Sequence, residues 1–319
     1  MIGKARPCAL PRANAAGGVE ENGRGAMGSV VLGNGHSGLV PPGATQDKGN
    51  MAGLLSFVAP LRLALDYALP PRCAGCGAIV EADGRFCADC WADMRFLGDP
   101  CCSACGLPFE VDAGPDAHCG ACLAEPPPWT SARAALAYGD VARGVALRLK
   151  YGRRTGLARL MAHAMLRHIP EELRLAPGAA LIVPVPLHRG RLWQRGFNQS
   201  LLIARALARE AGVPVDPYTL RRIRATRPLH RLGPKARERM VAGAFALDPA
   251  RAGRIAGKTI LLVDDIHTSG ATARACTRIL QKGGARAVHL LCWARALPGT
   301  GAGEIGLPLT EPRSAPGTD

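Results

Sequence analysis

Apolar residues from Met51 onward recur at the spacing of one helix face, at Leu54, Leu55, Val58, Leu61, Leu65 and Leu69, until Pro70-Pro71 stops the pattern. This predicts a short amphipathic helix over 51–71. Its polar face offers only Arg62 and Asp66, too little for the basic stripe of a membrane-surface helix. Residues 1–50, rich in Gly, Asn and Pro, carry neither helical nor strand period and read as a disordered or spurious extension, with Met51 as the real start. Farther along, stretches at helical spacing (Gly156 to Ile169, Asn198 to Ala211, Thr272 to Lys282) alternate with unbroken apolar runs (Ala180 to Val185, Thr259 to Val263, Val288 to Trp293). Such alternation predicts an α/β domain over 129–296, a mainly parallel twisted sheet flanked by helices. Residues 297–319 read as a disordered polar tail.

At 319 residues and 48% hydrophobic, the chain can bury one or two cores. No apolar run reaches the ~18 residues of a membrane span and no signal-peptide layout opens the chain, so a cytoplasmic protein is expected. The formal charge is +15, and Leu187 to Met240 alone carries 13 Arg/Lys against Glu210, Asp216 and Glu238. That surplus points to polyanionic partners such as phosphates, nucleic acid or anionic membrane surfaces. A general preference for arginine in an Ala-, Gly- and Pro-rich chain accounts for it equally well.

Eight of the 12 cysteines form four CxxC pairs: Cys73/Cys76, Cys87/Cys90, Cys102/Cys105 and Cys119/Cys122. In a reducing compartment this repetition reads as metal ligation, because a CxxC turn converges two thiolates on one ion and a second pair completes a tetrahedron. Two structural Zn2+ sites are therefore expected in a small module over 72–124. Sequential pairing is favoured over a cross-braced one, although spacing alone leaves both open. Gly75, Gly77 and Gly106 suit the positive φ of such turns. Cys8, Cys101, Cys276 and Cys292 read as unliganded thiols, and His118 as a solvated neighbour of Cys119. Trp91, Phe86 and Phe96, near Arg85 and Arg95, read as core aromatics before a base-stacking surface. Closed four-sulfur sites leave no open position for chemistry, so partner binding is the module's expected role. The Glu125-Pro126-Pro127-Pro128 stretch after it reads as a stiff linker.

The densest chemistry lies in Ile260-Leu261-Leu262-Val263-Asp264-Asp265-Ile266-His267-Thr268-Ser269-Gly270-Ala271-Thr272, an apolar strand, two acids, a small-residue turn and a helix start. Adjacent carboxylates at a strand's C-terminal end can accept hydrogen bonds from neighbouring ribose hydroxyls. The turn's N–H groups, the helix N-terminus and the hydroxyls of Thr268, Ser269 and Thr272 can cradle a phosphate. These 13 positions resemble the phosphoribosyl pyrophosphate signature of type I phosphoribosyltransferases. The resemblance implies a cofactor site for Mg2+ with phosphoribosyl pyrophosphate at Asp264, Asp265, Thr268, Ser269, Gly270, Ala271 and Thr272. There is no GxxxxGK[ST] loop, which disfavours ATP hydrolysis. His267 falls at the signature's variable position and reads as a solvated loop residue outside any catalytic set.

A second segment, Val183-Pro184-Val185-Pro186 through Arg195-Gly196-Phe197-Asn198-Gln199-Ser200, joins Leu149-Lys150-Tyr151-Gly152 and the cysteines in resembling the competence-associated ComF family. In that family a double zinc ribbon precedes a type I phosphoribosyltransferase-like domain. The likeness spans roughly 70–295 and implies pyrophosphate contacts from Arg189, Arg191 and Arg195, with Lys150 and Arg153 adding charge from a flexible region before the second helix. The family's usual glutamine near His230 and asparagine near Met240, ahead of Gly243-Ala244-Phe245, are absent. Catalytic residues are not assigned. If active, the protein would be a pentosyl-type glycosyltransferase linked to DNA uptake. The alternatives are a non-catalytic phosphoribosyl- or nucleotide-binding module that handles single-stranded DNA with DNA-uptake proteins, and a salvage transferase of nucleoside metabolism.

Overall fold

The computed structural model describes residues 70–226 and 233–298. The expected 1–50 extension, nearly all of the 51–71 helix, Cys8, His230 and almost all of the expected tail lie outside the described residues.

In the cysteine module, helices α1 (Ala88–Ala92) and α2 (Gly120–Ala124) begin directly after Cys87 and Cys119. The second CxxC of each quartet therefore wraps one helical turn, while the first lies in a tight turn. Gly77 and Gly106 take positive φ there, whereas Gly75 does not: it is needed for space, because a Cβ would lie 2.6 Å from Cys90 Sγ.

The chain continues through β1 (Ser131–Ala137), α3 (Asp140–Tyr151), α4 (Leu157–Met165), α5 (Glu171–Leu175), β2 (Ala180–Pro184), α6 (Arg189–Arg195) and α7 (Gln199–Ala211). It ends with β3 (Leu220–Arg222), α8 (Pro234–Val241), β4 (Phe245–Leu247), β5 (Thr259–His267), α9 (Ala271–Lys282) and β6 (Ala287–Arg295). Strands β1-β6-β5-β2 form a sheet in that order with every pairing parallel, and β3-β4 form a separate antiparallel pair. Both faces of the large sheet are covered, which is why β2, β5 and β6 read as unbroken apolar runs rather than alternating ones. Leu261 and Val263 pack with Val145, Leu149, Met161, Ile203 and Leu207 on one face. On the other, Ile260 and Leu262 pack with Cys276, Leu280, Val241 and Phe245.

The cysteine module and the sheet share a core. Cys73, Ala74, Cys90 and Met94 belong to the cluster that contains Val145 and Leu149. Backbone bonds run from Leu97 N to Ala135 O (3.0 Å), Ala137 N to Arg95 O (2.8 Å) and Ala132 N to Ala104 O (2.8 Å), and the Arg148 guanidinium donates to Ala74 O at 2.9 Å. The proline stretch at 126–128 thus connects two packed parts. Trp91 departs from the core expectation: it is 59% exposed, with its ring 5.0 Å from that of half-buried Phe96. Among the described residues, no helix is long and apolar enough to cross a membrane.

Candidate functional site

The carboxyl end of β5 carries Asp264 and Asp265 to the edge of a cleft of about 700 Å3. Opposite them stand residues of the Arg195-Gly196-Phe197-Asn198-Gln199-Ser200 segment, whose local structure follows from its residue types. Gly196, at φ 82°, closes α6 in the left-handed region that glycine tolerates. Asn198 caps α7 by accepting from Ser200 N at 3.0 Å, and its amide donates to Val185 O at 3.0 Å. This anchors α7 so that buried Ser200 donates through Oγ to Asp264 Oδ1 at 3.0 Å, while Asp265 N donates to the same oxygen at 2.9 Å.

The two acids are unequal. Burial, and then repulsion from Asp265, push Asp264 up to about 7. Burial also raises Asp265, but the Lys150 ammonium on its Oδ2 overrides that and holds it below the usual carboxylate range. Lys150 lies in the last turn of α3, with a side chain 20% exposed, rather than in a flexible region. The helix is set by Val141, Ala142, Val145, Ala146 and Leu149, buried along one stripe at helical spacing. Arg153 follows in the left-handed region at φ 51° and also lines the cleft.

Seven basic side chains line the cleft against the two acids: Arg143, Lys150, Arg153, Arg191, Arg195, Arg222 and Arg237. Arg191 donates to Thr226 O at 2.9 Å, and Arg195 donates to Gln199 Oε1 at 2.6 Å while lying over the Tyr151 ring. Arg189 starts the same helix but does not line the cleft. Thr268 and Thr272 line it, whereas Ser269, Gly270 and Ala271 complete the turn behind them. Gly270 has φ 76°, and a Cβ there would lie 3.1 Å from both His267 and Trp129, so only glycine fits. His267 is not a solvated loop residue. It ends β5 with its ring 5.6 Å from Trp129, and burial lowers its pKa to about 3. Arg143, Arg222 and Arg237 were not anticipated; Arg222 reaches the cleft from the β3-β4 pair, which no hydrophobic run announces.

Away from the cleft, Cys73, Cys76, Cys87 and Cys90 bring their sulfurs within 4.8 Å of one another, as do Cys102, Cys105, Cys119 and Cys122. The quartets are sequential. N–H groups of Gly75 and Cys87 point at Cys73 Sγ (3.3 and 3.2 Å), and Cys119 N points at Cys102 Sγ (3.3 Å). Burial raises these two thiols, but such donors outweigh it and bring each down to about 6. Four converging sulfurs with stabilised thiolates fit structural Zn2+ at both places. Cys276 and Cys292 are buried and pushed up, and Cys101 donates to Asp99 Oδ1 at 3.0 Å. Exposed His118 bonds to Asp116 O at 2.8 Å, outside the quartet.

A doubly covered parallel sheet ending in paired acids over a hydroxyl-bearing turn defines a phosphoribosyltransferase domain, here joined to a double zinc ribbon. Family comparison agrees: the double zinc ribbon domain matches residues 64–123 and the phosphoribosyl transferase domain residues 198–303. DNA utilization protein YhgH of Salmonella typhimurium is 35% identical over 199 residues, covering 61% of this chain and 84% of the relative. Competence protein F of Haemophilus influenzae is 27% identical over 230 residues (70% and 97%), and competence protein ComFC of Bacillus subtilis 25% over 222 (66% and 84%). The chain belongs to the ComF family.

Proposed function

We propose that the cleft binds phosphoribosyl pyrophosphate with Mg2+ and serves a cytoplasmic step linked to DNA uptake, in keeping with relatives named for DNA utilization and competence. One observation carries the reading: Asp264 and Asp265 share a space of about 700 Å3 with seven basic side chains, beside Thr268 and Thr272. Two carboxylates suit vicinal ribose hydroxyls. The Thr268–Thr272 turn with the first N–H groups of α9 suits the 5-phosphate, and Arg191 and Arg195 suit pyrophosphate oxygens. Bound magnesium would balance charge on the leaving pyrophosphate.

A binding role without transfer is the second reading. Among the described residues neither histidine nor thiol lines the cleft, which favours binding over transfer. Phosphoribosyl pyrophosphate with Mg2+ should raise the melting temperature, and Asp264→Asn with Asp265→Asn should abolish the shift. No shift in the wild-type protein would refute the ligand assignment. Pyrophosphate release with a panel of bases then separates transferase from binder. For the DNA role, oligonucleotide retention should fall steeply with rising salt.

A further inference from the structure

The Lys150 ammonium sits on Asp265 Oδ2, on the acid that Ser200 does not hold. The pair is well inside the cleft, with side-chain exposures of 20% and 6%. Two other cations of the cleft are engaged elsewhere: Arg191 bonds to Thr226 O and Arg195 to Gln199 Oε1. Lys150 thus occupies the oxygen that a ligand hydroxyl or a cation would need. A lysine suits a temporary occupant, since a compact charge on a four-carbon stem moves without breaking a bidentate fork. Its tether is the C-terminal turn of α3, followed by Gly152 and left-handed Arg153.

We propose that Lys150 is an internal counter-cation that masks Asp265 against divalent metal in the empty cleft and passes to a phosphate oxygen when the phosphorylated sugar binds. The identity of that sugar rests on the function proposed above; the masking of Asp265 does not. Two adjacent buried carboxylates need positive charge close by, and a side chain that supplies it excludes free metal until a ligand carries both metal and phosphate in together. The exchange makes metal and phosphate arrival interdependent.

Calorimetric titration of the full, zinc-loaded chain with Mn2+ alone tests this. Wild type should bind Mn2+ weakly. Lys150→Met should bind it at least ~10-fold more tightly, because one buried acid loses its cation, and Lys150→Met with Asp265→Asn should lose the gain. The same Lys150→Met change should weaken phosphoribosyl pyrophosphate with Mg2+ by about 10-fold or more, the effect of one charge-assisted bond. If Lys150→Met unfolds without metal, millimolar Mg2+ should rescue it, and failure of rescue overturns the proposal. Equal Mn2+ affinity in wild type and a folded Lys150→Met also overturns it, even where wild type binds the phosphoribosyl ligand. Should wild type not bind that ligand, the ligand assignment falls while the Mn2+ comparison still decides the role of Lys150.

Discussion

Ser200 Oγ donates to Asp264 Oδ1 across 3.0 Å, tying the first turn of α7 to the end of β5 over 64 residues of sequence. Ser200 is fully buried, so its removal leaves a buried carboxylate short of a donor. Ser200→Ala should lower stability by about 1–3 kcal/mol at pH 8, read by denaturant titration. It should also weaken the ligand-induced melting shift, because Asp264 would ionise less readily.

Asp264 itself trades stability for binding. Its folded pKa is raised to about 7 by burial and by Asp265, so the native state holds a proton that the unfolded chain has released between pH ~4 and 7. Stability is therefore lost as pH rises from ~4 to 7, and the cost is complete above pH 7. Asp264→Asn should raise the melting temperature at pH 8, with the gain fading as pH falls from 7 toward ~4, while the ligand shift is lost throughout. A lower melting temperature at pH 8 contradicts this account.

His267 works in the other direction. Burial holds its folded pKa at about 3, below the ordinary 6.5, so its stabilising contribution is complete above pH 6.5 and lost as pH falls toward 3. The loss should approach about 1.4 kcal/mol per pH unit at most. In His267→Gln the stability curve between pH 6 and 4 should be flatter, by thermal melting across that range.

Zinc removal should be felt by the whole folded unit. Because Cys73 and Cys90 lie in the cluster that holds Val145 and Leu149, chelation should lower one cooperative transition rather than release an intact domain. Calorimetry showing a domain transition unmoved by chelator would count against the shared core.

Gly75→Ala offers a selective way to damage one quartet. A Cβ there meets Cys90 Sγ at 2.6 Å and Val141 at 3.2 Å, so the ligand must shift. Zinc content should fall from two ions toward one, with Cys102, Cys105, Cys119 and Cys122 still loaded.

The sequence made legible what is local. The turn after β5 is built from consecutive residues, and each CxxC pair has its two cysteines three apart, so residue type and spacing suffice to find them. Lys150 and Ser200 escaped as partners of the acids because their contacts with Asp265 and Asp264 close only in the folded sheet. A signal for Ser200 existed: Asn198 ahead of a helical stretch is an N-cap, which fixes the direction of the next turn. Strand β1 was missed because Ser131–Ala137 is alanine-rich and gains its strand geometry from pairing with β6. The buried stripe of α3, in contrast, is plain in the sequence, since Val141, Ala142, Val145, Ala146 and Leu149 recur at helical spacing.

With the sheet ordered β1-β6-β5-β2, the outer rim of β1 would present bare amides and carbonyls to any other extended chain. Residues Arg95 to Leu97 of the ribbon lie along that rim, bridging Phe96 to Leu136. Metal bound at the cysteine quartets would hold the ribbon in place and so keep this rim from pairing with a second chain. Zinc-starved protein should therefore lose solubility through intermolecular strand addition at β1.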